Sequence, residues 1–170
     1  ACRQCKCWQD EGCPIVTMSV NVSVVQFHQQ DFVQQVGIIL EDTGLAPALL
    51  ELEITESGAP TGIDCIAEAL NSFRALGIRI AIDDFGTGYS NLSWLTQFPI
   101  DKMKLDQFFM CGVDHKNWVI VHAVIRLARS IGLITVAEDV ETREQMQRLK
   151  DLGCHLGQGF YYSQPLSAVE

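Results

Sequence analysis

Two hydrophobic rhythms alternate along the chain: short apolar runs rich in β-branched residues, and longer stretches whose apolar residues recur every three or four positions. A helix tail, ACRQCKCWQDEG, closes at Gly12, and Ile15 to Val22 follows as a strand with Asn21 near its end. Ser23 can cap a helix that includes Asp31-Phe32-Val33, runs through Val36, Ile39 and Leu40, and stops near Gly44. Leu49 to Thr55 is apolar-biased with Glu51 and Glu53 embedded and Glu56 just beyond, and Ile63 to Leu76 has helical spacing up to Gly77. Ile78 to Ile82 reads as a buried strand bounded by the loop Asp83-Asp84-Phe85-Gly86-Thr87-Gly88. A helix carrying Leu92 and Leu95 precedes a strand over Ile100 to Leu105. Trp118 to Ile131 is an amphipathic helix stopped by Gly132. Leu133 to Ala137 is the next strand, Thr142 caps a helix through Met146 and Leu149 to Gly153, and His155 to Phe160 is the last strand.

The beat of strand, polar residue, loop and helix repeats about every 20 to 35 residues, which is the signature of βαβ units on a parallel sheet. A dinucleotide-binding fold would place Gly-x-Gly-x-x-Gly directly after an early strand, and none is present. The residues able to do chemistry instead sit at the ends of many different strands: Asn21, Glu53, Asp83 with Asp84, Lys104, Glu138 and Gln158. A TIM-type (β/α) barrel gathers such ends on one rim. Only about six strands can be found, whereas a closed barrel of eight needs about 250 residues. The expectation is therefore an incomplete α/β barrel, lacking roughly 60 to 80 residues on that count, most of them N-terminal.

Composition narrows the function. At 170 residues with 48% hydrophobic content, the chain can bury one sizeable core. A net charge of −9 argues against wrapping DNA or RNA, which needs a field of Lys and Arg. A small anionic ligand stays open if metal ions invert the local potential. No apolar stretch reaches the about 18 residues of a membrane span, so no membrane contact is expected from this segment, and a cytoplasmic setting fits the scattered cysteines. Cys2, Cys5, Cys7 and Cys13 admit a zinc reading, but no histidine lies at ligand spacing and helical packing explains them better.

The carboxylates carry the candidate chemistry. Glu51 and Glu53 share one face of their strand by alternation, and a cation at the rim would remove the penalty of burying Glu53; Glu51 reads as structural. Glu56 could accept N–H groups from a neighbouring loop. Asp83 and Asp84 repel one another unless something positive lies close, and hard divalent cations such as Mg²⁺ or Mn²⁺ favour oxygen ligands; a turn-forming role is the alternative. Gly86 and Gly88 let their loop turn tightly. Lys104 could steady a phosphoryl oxygen or the attacking water, with Asp106 on its face and Lys102 at the surface. Glu138 is either a metal ligand or the base for water, and Glu141 could instead be an acid at a helix start. Asn21 and Gln158 offer neutral amides. The histidines show no zinc-hydrolase spacing.

These strings together, Glu53-Ile54-Thr55-Glu56-Ser57, Ile82-Asp83-Asp84-Phe85-Gly86-Thr87-Gly88-Tyr89-Ser90, Met103-Lys104-Leu105-Asp106, Ala137-Glu138-Asp139-Val140-Glu141-Thr142 and Gln158-Gly159-Phe160, with Ser19-Val20-Asn21-Val22-Ser23, resemble the EAL family of cyclic di-GMP phosphodiesterases over essentially the whole chain. The resemblance implies a TIM-like barrel, commonly a homodimer, that opens cyclic di-GMP to linear pGpG with Mg²⁺ or Mn²⁺, in a parent protein that could be membrane-tethered. It implies metal-site roles for Asn21, Glu53, Asp83 and Glu141, with Asp84 beside them and Asp106 nearby. It further implies Lys104 as the water- and phosphate-orienting amine, Glu138 as general base, Gln158 as a site amide, and Glu56 as anchor of the loop through Gly86, Thr87 and Gly88. On this view residues 1–170 are the C-terminal two thirds to three quarters of an EAL domain. Three departures stand out: the name-giving Glu-Ala-Leu strand, with its metal-binding Glu, is absent; Asp139 stands where glycine is usual; and Gln164 stands where arginine is usual. Impaired hydrolysis, or a catalytically inactive module that binds cyclic di-GMP or a protein partner, is the competing expectation.

Overall fold

The computed structural model describes residues 1–29, 31–55, 63–86, 92–106 and 115–168. Among the described residues, seven α-helices and six strands follow in this order: α1 (Cys2–Asp10), β1 (Met18–Val22), α2 (Val24–Phe27), α3 (Phe32–Thr43), β2 (Leu50–Thr55), α4 (Ile63–Ala75), β3 (Arg79–Phe85), α5 (Trp94–Gln97), β4 (Lys102–Leu105), α6 (His115–Ser130), β5 (Ile134–Ala137), α7 (Arg143–Asp151) and β6 (Leu156–Gly157). The strands lie in one sheet in chain order, β1 to β6, and β1–β2, β4–β5 and β5–β6 pair in parallel. Order without crossing is what successive βαβ units produce, and it agrees with the expected incomplete barrel. Two compact units divide the chain, one of Ala1–Ala81 with Asn91–Ile100, the other of Ile82–Ser90 with Asp101–Glu170. Among the described residues no helix is long and apolar enough to cross a membrane.

In the first unit, Leu50, Leu52 and Ile54 of β2 are buried on one face while Glu51 and Glu53 occupy the other, as strand alternation requires. The single helix expected from Ser23 to Gly44 is two. Gln26 accepts the Ser23 N–H at 3.1 Å and α2 ends after one turn; α3 restarts at Phe32 and stops at Gly44, whose φ of 68° closes it. The break has a packing reason. Residues five apart on a continuous helix point about 140° away from each other. With the chain broken, Phe27 and Phe32 both reach Phe73 of α4, with ring centroids 6.3 and 5.5 Å away and 5.7 Å from each other. The strand expected from Ile15 starts only at Met18, because Ile15 and Val16 are 74% and 47% exposed and gain nothing from extension.

The second unit follows the same logic. Trp118, Val121, Ile125 and Ala128 form the buried stripe of α6, which begins at His115, three residues before the expected start at Trp118. Thr142 caps α7 as expected, its hydroxyl accepting from the Gln145 N–H at 3.2 Å while the Gln145 side chain accepts from the Thr142 N–H at 2.9 Å. Arg148 of α7 lies 4.3 Å above the Trp118 ring. Two expectations shift here. The strand expected over His155 to Phe160 shrinks to two residues, since Gly159 turns the chain at φ 148°. Leu92 lies outside α5 and is exposed.

Candidate metal and phosphate site

The second unit assembles a compact charged group from three strands. Asp83 and Asp84 were expected in a loop, yet β3 continues through both; Asp83 is only 8% exposed, and its carboxylate accepts the Asp84 N–H at 3.1 Å. Asp84 bends the strand end with φ 54°, a conformation in which aspartate is among the better-tolerated side chains. Gly86 follows at φ 102°, where an L side chain would be strained. Lys104, third residue of β4 and 6% exposed, places its Nζ 3.0 Å from Asp83 Oδ1 and 2.8 Å from Glu138 Oε1. Lys102, two residues earlier, is half-buried, consistent with the expected difference between the two lysines.

Glu138 follows β5 directly, its N–H donating to the Leu105 carbonyl at 3.0 Å. One carboxylate oxygen each from Asp83, Asp84 and Glu138 lies within 4.8 Å of the others, the only such acid, imidazole or thiol triad among the described residues. Three oxygen anions at that spacing suit a hard divalent cation far better than they suit one another. Burial pushes the Glu138 carboxyl up from 4.5 to about 7, with Asp83 adding to the rise, and this outweighs the opposing pull of Lys104 at 2.8 Å. Asp84 is also pushed upward, first by burial and then by the charges of Asp83 and Asp106, with Asp139 contributing less and Lys104 opposing. Asp106 therefore acts on the group from just past β4, half-buried.

Glu141 is not part of the triad. It is exposed, and its N–H donates to the Gln145 side chain at 2.8 Å at the start of α7, the helix-start placement left open above. Gln158 is exposed too, and what the structure shows of it is main-chain: its N–H donates to Ala137 at 2.8 Å and its carbonyl accepts from Val140 at 2.9 Å. Glu56, Thr87 and Gly88 lie outside the described residues.

The first unit carries the remaining candidates. Asn21 and Glu53 are register partners across β1 and β2, as are Ser19 and Glu51 one step deeper. Side chains of register partners stand on the same face. Glu53 is buried and Asn21 exposed, while Glu51, 1% exposed, accepts the Ser19 hydroxyl at 2.8 Å, which fits its structural reading. Cys5 is wholly buried in α1, Cys7 donates to Glu11, and among the described residues the N-terminal cysteines join no ligand group. The letters Glu68-Ala69-Leu70 do occur, but in α4, with Glu68 exposed and Leu70 buried, and not on a strand.

The residues around Glu138 were not singled out from sequence. Thr135 is wholly buried and bonded to His155, a histidine that showed no useful spacing; a hydroxyl inside an apolar strand was the only hint.

Comparison with known proteins agrees with this geometry. The EAL domain family matches residues 1–165. The chain is 39% identical over its full length to the bifunctional diguanylate cyclase/cyclic di-GMP phosphodiesterase MucR of Pseudomonas aeruginosa, of which it covers 25%. The crystal structure of the EAL domain of Mycobacterium smegmatis DcpA superposes with a TM-score of 0.94 at 38% identity, covering 99% of this chain and 77% of that one. Klebsiella pneumoniae BlrP1, solved as a manganese and cyclic di-GMP complex, gives a TM-score of 0.86 at 32% identity, covering 96% of this chain and 42% of that one. The chain belongs to the EAL domain family. It spans about a fifth to a quarter of the length of the curated relatives it matches.

Proposed function

We propose that this chain carries the C-terminal part of the catalytic barrel of a cyclic di-GMP phosphodiesterase, opening the substrate to linear pGpG. The observation that carries the reading is the Asp83, Asp84 and Glu138 triad bridged by the Lys104 ammonium. It is supported by the family and by relatives named as cyclic di-GMP phosphodiesterases or solved with manganese or calcium and cyclic di-GMP.

Asp83, Asp84 and Glu138 would hold the divalent cation, Mg²⁺ or Mn²⁺, and Asn21 and Glu53 are the metal-site candidates of the first unit. When bound, such a cation supplies Lewis acidity and a nucleophilic water at neutral pH. Without metal the Glu138 carboxyl lies near 7, and where Glu138 does not ligate the cation it is matched to accept a proton at neutral pH. In hydrolysis a water oxygen bonds to phosphorus, the bond from phosphorus to a sugar oxygen breaks, and that oxygen leaves protonated. Lys104 is buried and held by two acids, so its charge is placed in advance to offset the phosphoryl oxygens as the bond order changes. Glu141 would join the metal site, Gln158 would contact ligand, and the assembled protein would be a homodimer.

The test is conversion of cyclic di-GMP followed by chromatography with Mn²⁺, Mg²⁺ or a chelator: linear product only with metal supports the reading. A second reading, ligand binding or partner docking without turnover, is favoured by one observation, that Asp139, next to Glu138 and where glycine is usual, is held at φ 49°. Cyclic di-GMP binding without any product in metal selects it.

A further inference from the structure

Thr135, wholly buried in β5 three residues before Glu138, makes three contacts with one residue. Its N–H donates to His155 Nδ1 at 3.1 Å, its hydroxyl lies 2.9 Å from the same nitrogen, and its Oγ1 accepts the His155 N–H at 3.2 Å. A backbone N–H can only donate, so Nδ1 must carry the lone pair and the ring proton sits on Nε2. The imidazole thereby extends the β5–β6 ladder below its two register pairs, Val136 with Leu156 and Ala137 with Gly157.

Above those pairs the main chain takes over. The Gln158 N–H donates to Ala137 at 2.8 Å, Val140 donates to the Gln158 carbonyl at 2.9 Å, and Tyr161 donates to the Val140 carbonyl at 2.9 Å. A Cβ at Gly159 would run into the Val140 main-chain N and O, so the two backbones touch. Asp139, between Glu138 and Val140, is held at φ 49° by this lacing. A strand of two residues cannot hold such a turn by its own ladder, and the acceptor on His155 supplies the lower anchor.

We propose that His155 is a positioning residue: by accepting from Thr135 it hangs β6 on β5 and so fixes the turn that presents Glu138. The role of Glu138 as cation ligand rests on the phosphodiesterase reading, whereas the anchor itself does not. His155→Asn keeps an acceptor near the Nδ1 position, and His155→Leu keeps bulk without one.

The measurement is Mn²⁺ affinity by titration calorimetry, with and without Glu138→Gln, alongside hydrogen exchange at the Val140 and Gln158 amides. Expected is a loss of about tenfold in affinity for His155→Leu, the scale seen when an outer-shell partner of a metal ligand is removed, faster exchange at both amides, and near-native values for His155→Asn. Glu138→Gln should then weaken binding less in the Leu background than in the parent, because the two losses share one route. Additive losses, or Asn and Leu behaving alike, overturn the proposal. Should His155→Leu fail to fold, His155→Ala removes the acceptor without adding an apolar side chain; unchanged affinity and exchange there also overturn it. A parent chain that binds Mn²⁺ yet never hydrolyses cyclic di-GMP counts against the phosphodiesterase reading while leaving this test intact.

Discussion

The two units treat buried carboxylates differently. In the second, Lys104 reaches Asp83 and Glu138 at 3.0 and 2.8 Å, so a built-in cation holds acids from three strands in place. In the first, Asn21 and Glu53 are register partners across β1 and β2, one exposed and one buried. An ammonium keeps an acidic group assembled before any metal arrives. The second unit therefore holds its candidate acids preorganised.

The largest expected effect breaks the triad. Asp83→Asn should lower cyclic di-GMP turnover by about a thousandfold or more and Mn²⁺ affinity with it, since a charge-bearing ligand is lost. Lys104→Met comes next: turnover falls by roughly 10²–10³, and stability in metal-free buffer by about 3 kcal/mol, because the acids are left buried without their counter-charge. Equilibrium denaturation with and without Mn²⁺ reads the second figure, and added metal should recover part of it. Glu53→Gln sharpens the comparison. If Glu53 acts as a metal ligand, Mn²⁺ affinity measured by titration calorimetry drops by roughly tenfold to a hundredfold.

The pH dependence follows from Glu138. Its folded value of about 7 lies above the ordinary 4.5, so the folded state binds the extra proton between those values. Without metal, this group's contribution to stability is full below about 4.5 and is lost as pH rises through about 7. Mn²⁺ should bind more tightly over the same rise, releasing close to one proton per ion near pH 6, and calorimetry in buffers of different ionisation heat measures that release. The smallest effect is Asp139→Gly, which relieves a left-handed residue at φ 49° and should change stability by no more than about 0.5 kcal/mol upward.

Much of this was legible because charge inside an apolar run is costly. Glu53, Asp83, Lys104 and Glu138 stood out for that reason, and three of the four meet in one cluster. Strand alternation likewise separated Glu51 from Leu52. The break between α2 and α3 was hidden because both halves keep helical spacing, and only the demand of Phe73 for two aromatic neighbours divides them. Asp83 and Asp84 read as loop because two acids seldom continue a strand; the lysine on the adjacent strand is what permits it. His155 was unreadable, since its partner is a backbone N–H twenty residues away in sequence.

Anomalous diffraction from a manganese-soaked crystal addresses the central claim most directly. Manganese density in contact with Asp83, Asp84 and Glu138 together is the predicted result, with Lys104 turned from at least one of its two carboxylates. Saturating manganese that leaves those three oxygens bare, while Lys104 still bridges Asp83 and Glu138 unchanged, would contradict it.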